Sequence, residues 1–381
     1  MNDNARILIV GAGVAGLTAA IWLGRRGIRP VVVERAKQIR ADGFIISLSH
    51  ESYRFAEELD LLPALRAVDA RIQGSSYHSH SGRALLELDY GRLFDGVDVI
   101  QVMRDDLEEV LYEAAKPVSE FRFGTTIDRI EQQDDGVRVR FPDGSEETFD
   151  VVLGADGLRS TVRRLAFDVG QWHERQLGLC CAAFRLKDNV GLNAKFETHM
   201  ERDRYMAIYA SGNGEAAAVF VWQSDEQRPP PQAERLDYIR KNFAGAPKLT
   251  MRALDSCVPD SPVYMDTLTQ IEMPKWHQGR VALLGDAAHC MTLLSGQGAS
   301  AAFTGACHLG RALCDHEPQR AFDLYEAAMR PMVAEVQPMA RRSARWYVPR
   351  STWRHVARNT AMWALPSAWF YRHFKVKYSK G

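Results

Sequence analysis
Cysteine is scarce and unpatterned in this chain. Its six residues (Cys180, Cys181, Cys257, Cys290, Cys307 and Cys314) form no CxxC pair and no zinc-ligand spacing, which argues against a disulfide scaffold or a structural zinc site. Net charge is lacking too. The 48 Lys and Arg are matched by 48 Asp and Glu, so no overall field favours nucleic acid. There is no internal repeat, no low-complexity tract and no uninterrupted apolar run long enough to cross a bilayer. The apolar stretch at residues 7–23 carries regularly spaced glycines and is soon followed by Glu34-Arg35, unlike a secretory leader. The expectation is a cytoplasmic protein with reduced thiols, no bound metal and no nucleic-acid partner.

What is present describes a globular protein. Apolar residues make up 46% and charged residues 25% of 381 positions, too long a chain for one ordinary core. Charge is unevenly placed. Residues 341–381 hold ten Lys and Arg and no acid, leaving 38 positive against 48 negative side chains, a net −10, on the first 340.

Residues 7–10 and 31–34 read as buried parallel strands flanking a glycine turn and a helix over 17–26, a βαβ unit. Residues 127–133, 137–141 and 146–149, separated by Asp-Asp-Gly and Pro-Asp-Gly, read as a three-stranded meander. The middle third, with runs at 178–185, 205–209 and 216–222, reads as longer antiparallel strands. Strand-then-helix patterning resumes at 281–284 and 298–314. The predicted fold is therefore α/β: a Rossmann-like FAD-binding domain with an inserted antiparallel-sheet substrate domain and a C-terminal helical segment. Residues 1–75, 97–175 and 270–340 are assigned to the first, 76–96 and 176–269 to the second, and 341–381 to basic, aromatic C-terminal helices.

Two motifs carry the cofactor. In Gly11-Ala12-Gly13-Val14-Ala15-Gly16, Gly11 permits a tight turn, Gly13 lets the backbone approach a pyrophosphate, and Gly16 lets the helix pack on the sheet. The helix start at Val14 and Ala15 supplies oriented N–H groups to phosphate. Glu34, with Arg35 beside it, ends the second strand and suits ribose hydroxyls. A carboxylate there repels a 2′-phosphate, which leaves FAD or NAD. The second motif, Gly285-Asp286-Ala287-Ala288-His289 followed by Gly296-Gln297-Gly298-Ala299, decides for FAD. It places a carboxylate at a strand end for a ribityl hydroxyl, and a helix start for the charge that builds on a reduced flavin.

These motifs, with Gly154-Ala155-Asp156-Gly157, Ser160 and Arg163, resemble in order and spacing the three fingerprints of the group A flavoprotein aromatic hydroxylases. That family includes para-hydroxybenzoate hydroxylase and the tetracycline-inactivating monooxygenases. The resemblance implies that Asp156 touches FAD and the pyridine-nucleotide region, and that Arg104 contacts FAD, as a guanidinium fork suits. It also places Ser47 on a strand beside the flavin, and Arg40 on a cofactor or NADPH phosphate. The implied function is hydroxylation of an electron-rich aromatic, indole-like or enol small molecule with NAD(P)H and O2, through a flavin C4a-hydroperoxide. Substrate contacts are expected around 83–90 and 180–222, and no catalytic base is assigned.

One departure stands out. Relatives carry a proline near the flavin's reactive carbon, where this chain has Leu293 in Cys290-Met291-Thr292-Leu293-Leu294-Ser295. An FAD-dependent dehydrogenase or reductase of the same fold is the alternative. A flavin halogenase is a weaker one, since Arg345-Trp346-Tyr347-Val348-Pro349 does not match the halogenase tryptophan segment. A non-catalytic flavin-binding protein is a further one. The aromatic residues of the basic tail (Trp346, Trp353, Trp363, Trp369 and Phe370) are expected to pack inward over the acidic remainder. A weak membrane-surface contact through 341–381 is the alternative.

Overall fold
Four-residue runs such as Ile7–Val10 and Val151–Gly154 are apolar at every position because both faces of their sheet are buried. The computed structural model describes residues 5–39, 44–258 and 262–372. Six strands form this sheet, in the order His277–Gln278, Val281–Leu283, Val151–Gly154, Ile7–Val10, Val31–Glu34, Glu120–Phe123. All neighbours are parallel except the first pair. Strands from the start, middle and last third of the chain thus lie side by side, with Leu8 opposite Val152 and Leu153 opposite Ala282. The helices Val14–Arg25 and Gly298–Asp315 pack against each other over this sheet. Their approach requires Gly310, where a Cβ would lie 2.5 Å from Trp22 Cβ. The first helix begins at Val14, three residues earlier than its apolar pattern suggests, because Ala15 and Gly16 are already helical.

The predicted meander is present as Arg129–Gln132, Val137–Arg140 and Glu146–Phe149. A seven-stranded sheet forms the second layer: Tyr264–Glu272, His173–Arg185, Ala216–Gln223, Arg204–Ala210, Lys195–Met200, Gly74–Ser79, Ala84–Asp89. It is antiparallel except where Lys195–Met200 meets Gly74–Ser79 in parallel. That exception arises because Gly74–Ser79 enters the sheet from the first third of the chain. Side-chain ion pairs close the seam between the layers. Arg185, ending one strand of the large sheet, donates to Asp105 at 2.8 Å and Glu215 at 2.9 Å. It also reaches Asp106 at 3.5 Å.

The helix Pro318–Tyr347 runs back along the molecule, and Thr352–Ala364 crosses the strand Ala84–Asp89. The inward packing expected for the tail aromatics holds only for Phe370. Trp353, Trp363 and Trp369 are 67%, 57% and 49% exposed. What faces inward on Thr352–Ala364 is Arg358 with Met362. No described helix is long and apolar enough to cross a membrane.

Candidate active site
The turn after Ile7–Val10 is fixed by its backbone. Gly11 has φ +108°, and its N–H donates to Val33 O at 2.8 Å. A Cβ on Gly11 would lie 2.4 Å from Ala155 O, and one on Gly16 would lie 1.9 Å from Gly11 O. Both positions admit only glycine. Gly13 differs: a Cβ there meets nothing nearer than Glu108 Oε1 at 3.9 Å. It would project into a groove lined by Gly11, Gly13, Glu34, Arg35, Arg104 and Asp156. Glu34 is gripped at both oxygens, Oε2 accepting from Ala12 N–H at 2.9 Å and Oε1 from Ala36 N–H at 2.8 Å.

Asp156 braces the opposite wall. Its Oδ1 accepts from the Ser160 hydroxyl at 2.5 Å, and its Oδ2 from the N–H groups of Thr161 at 2.6 Å and Val162 at 3.1 Å. Burial raises its carboxyl above the ordinary range against these bonds. Arg163, fully buried, donates to Leu158 O and Ala287 O, tying the 154–157 turn to the 285–289 turn. Arg104 begins the helix Arg104–Ala115, donates from Nε to Glu108 at 3.1 Å and stacks over Phe44 at 5.2 Å.

At Arg104 and Gly13 the groove passes into a second, more apolar cleft. Val14, Ala15, Asp286, Gly296, Gly298 and Ala299 line one side of it. Asp286 turns its carboxyl into the cleft, accessible from there yet ringed by protein. Loss of bulk water raises its affinity for a proton, and the Arg104 guanidinium and the Cys290 thiol oppose that. Burial, reinforced by Asp286, pushes the Cys290 thiol far up, which disfavours the reactive thiolate. Gly285 does not line the cleft. At φ +55° it is pinched between Ala15 and Ala302, where a Cβ would lie 3.2 Å from each methyl group, and so it sets the spacing of the two helix starts. His289 is also structural. Burial pushes it down to about 4, and its ring packs on Trp276 with Nε2 3.4 Å from the Tyr325 hydroxyl.

A model of the family described as "FAD binding domain" matches residues 4–340. A "Flavin-dependent monooxygenase" of Legionella longbeachae is 32% identical over 345 residues, covering 87% of each chain. The chain belongs to the FAD-binding flavin-dependent monooxygenase family. Among solved structures, tetracycline destructase Tet(51) superposes with a TM-score of 0.83 at 26% identity over 99% of each chain. Klebsiella pneumoniae HpxO, complexed with FAD and uric acid, shares the fold with a TM-score of 0.85 at 22% identity, over 99% of this chain and 97% of that one.

FAD fits the residues present in this flavoprotein. The carboxylate of Glu34, the open space beside Gly13, the helix start at Val14 and the carboxylate of Asp286 line two adjoining grooves, in the order that ribose, pyrophosphate and flavin require. Not every residue singled out in the sequence lies on them. The Ser47 hydroxyl turns away and accepts from Gln101 Nε2 at 3.2 Å, while its neighbours Ile45 and Ile46 line the cleft. Gly16 serves packing alone, and Arg40 lies outside the described residues.

The substrate side of the cleft departs from expectation. The strand Ala84–Asp89 lies at the far edge of the large sheet, and among the described residues of the expected 180–222 stretch only Cys181 is on the wall. The opposite edge strand, Tyr264–Glu272, supplies Tyr264, Thr267, Leu268 and Thr269. Strand order in a sheet, which brings this strand to the cleft, is not local information. Thr292 was also missed. It is 8% exposed, sits at φ +72° and ψ 157°, and its hydroxyl has no partner among the described residues. A β-branched residue at that φ is strained. Leu293 beside it lines the cleft and opens a 3₁₀ turn, Leu293–Ser295. Among the described residues no group of three or more His, Cys, Asp or Glu is placed to hold a metal.

Proposed function
We propose that the protein is an NAD(P)H- and O2-using FAD monooxygenase that hydroxylates an electron-rich aromatic, indole-like or enol small molecule. The observation that carries this reading is the continuity of the nucleotide groove with an apolar cleft walled by Phe44, Tyr264, Leu268 and Leu293. Bound FAD supplies the electron relay to dioxygen that no side chain can provide. The chain's own contribution is placement. The start of Val14–Arg25 would turn its positive end to the pyrophosphate, and that of Gly298–Asp315 to the ring, where charge builds on reduction. Asp286 and Arg104 would hold the cofactor's polar groups, and the apolar wall would hold a flat substrate while excluding water.

A third groove, adjoining both others, is lined by Arg35, Arg159, Arg164 and Arg228. Arg159 is held by Asp266 through two hydrogen bonds. Such a cluster suits the phosphates of a pyridine nucleotide, which supports NAD(P)H as the electron source.

The test is consumption of NADPH and NADH by the yellow holoenzyme with phenols, indoles and tetracycline. Incorporation of one atom from isotope-labelled dioxygen is the expected result. Turnover that transfers electrons to an acceptor without incorporating oxygen would establish a reductase instead.

A further inference from the structure
The helix Thr352–Ala364 has inverted polarity. Its inward face holds Arg358, 1% exposed, whose guanidinium donates to Tyr347 O at 2.8 Å, Glu201 O at 3.1 Å and Asn359 Oδ1 at 2.8 Å. Burial pushes this guanidinium down to about 10. Its outward face carries Trp353, Val356, Ala357, Thr360 and Trp363, spaced three and four residues apart, with no charge among them. Leu365 and Trp369 continue the surface beyond the helix, 37% and 49% exposed. Single exposed apolar residues are ordinary, but a contiguous stripe with tryptophans at both ends marks a surface that docks. An ordinary surface helix presents the opposite arrangement.

The surrounding charge identifies the occupant. Residues 341–381 contain no Asp or Glu. Arg342, Arg345, Arg350, Arg354 and Arg372 are exposed along the described part of this segment. Arg354 lies over the Trp353 ring at 5.2 Å, and Arg83, from the turn below, over Trp363 at 4.2 Å. The nearest acids are engaged with their own partners. Glu87 pairs with Lys195, Asp89 accepts from Arg92 N–H, Glu201 pairs with Arg204 and His80, and Asp203, near His355, pairs with Arg202. A second copy meeting this face symmetrically would bring arginine against arginine. Tryptophan among cations, with no described helix able to span a bilayer, is instead the chemistry of an in-plane interfacial anchor.

We propose that Thr352–Ala364 and the turn through Trp369 lie flat in the headgroup region of an anionic lipid bilayer. The helix is already folded and needs no conformational change to dock. Flotation of the FAD-loaded full chain with vesicles of phosphatidylcholine, alone or with a third phosphatidylglycerol, tests this. Binding to the anionic vesicles should exceed binding to the neutral ones by at least about ten-fold, and should weaken as salt is raised. Replacing Trp353, Trp363 and Trp369 together by alanine should remove binding to both. R345E/R354E should abolish the anionic preference alone. Flavin content and melting temperature, unchanged in both variants, would confirm intact folding. Failure to float, equal binding to neutral vesicles, or full binding by the tryptophan variant would overturn the proposal. So would a concentration-dependent dimer that dissociates in the tryptophan variant while no vesicle binding is seen.

Discussion
The nucleotide groove and the apolar cleft share Gly13 and Arg104 but are built by different means. In the groove the walls are fixed by held carboxylates and by glycines. Glu34 and Asp156 each accept on both oxygens, and Gly11 and Gly16 have no room for a side chain. In the cleft much of the wall is apolar, and its polar groups include a carboxyl with a raised proton affinity and a hydroxyl with no described partner on a strained residue. A site that must recognise one invariant cofactor is rigid before the cofactor arrives. A site that must accept a particular substrate keeps its specificity in side chains that can change without disturbing the backbone.

Three glycines offer the most direct way to break that contrast. Gly13→Val should leave a folded, colourless protein, since its Cβ has space only in the groove. Gly11→Val and Gly16→Val should leave little soluble protein, because each Cβ would overlap backbone. Flavin absorbance per chain and circular dichroism of all three distinguish loss of cofactor from loss of fold. A Gly13→Val protein retaining full FAD would show that the phosphates lie elsewhere.

Glu34→Ala removes the acceptor for two backbone N–H groups. The turn should lose on the order of 2 kcal/mol, visible as a lower melting temperature even in apoprotein. An effect seen only in the presence of FAD would mean that Glu34 serves the ligand alone.

At the seam of the two regions, desolvation and then the neighbouring Asp105 raise Asp106 from 3.8 to about 6, with Arg185 opposing. The folded state therefore keeps this proton after the unfolded chain has lost it. Stability falls as pH rises from about 4 to about 6 through this group, and the penalty is complete above that. Asp106→Asn should flatten that slope and raise stability at neutral pH by on the order of 2 kcal/mol, as read from denaturant melts across the range. A slope unchanged in the variant would assign it to another group.

The smallest effect is expected in the cleft. Leu293 begins a 3₁₀ turn and follows a residue with ψ of 157°, a backbone that accepts proline at that position. Leu293→Pro should retain FAD and lower the peroxide released per NAD(P)H oxidised. Peroxide unchanged in the variant would show that Leu293 does not govern the shelter of the cleft.

Legibility in the sequence follows the same division. Gly11 and Gly16 could be read directly because backbone geometry excludes a side chain there, and Gly13, Glu34 and Asp286 because motif spacing places them at the turn and the strand ends. Arg104 could be placed only through a resemblance, and its position between groove and cleft comes from the structure. Ser47 illustrates the limit: it shares a strand face with Ile45, which lines the cleft, yet it lies beyond the lining and its hydroxyl meets Gln101. Tyr264 and Thr267 were invisible because they depend on which strand occupies the sheet edge, which non-local pairing decides. The tail misled for a different reason. Aromatic content suggests burial, yet Arg358 took the inward position and its hydrogen bonds satisfy it there.

The sheet order has a consequence for the chain's synthesis. Gly16 and Asp286 stand 270 positions apart, yet Gly285 must be in place between Ala15 and Ala302 before the two helix starts are correctly spaced. At about 5–20 residues per second, a ribosome exposes the first βαβ unit before its partner strand Val151–Gly154 exists, and that strand in turn long before its own neighbour Val281–Leu283. The early strands wait with unpaired edges during that interval. Cofactor capture becomes a late event that marks completion of the fold, so a chain released at residue 280 should emerge without colour however much FAD the cell contains.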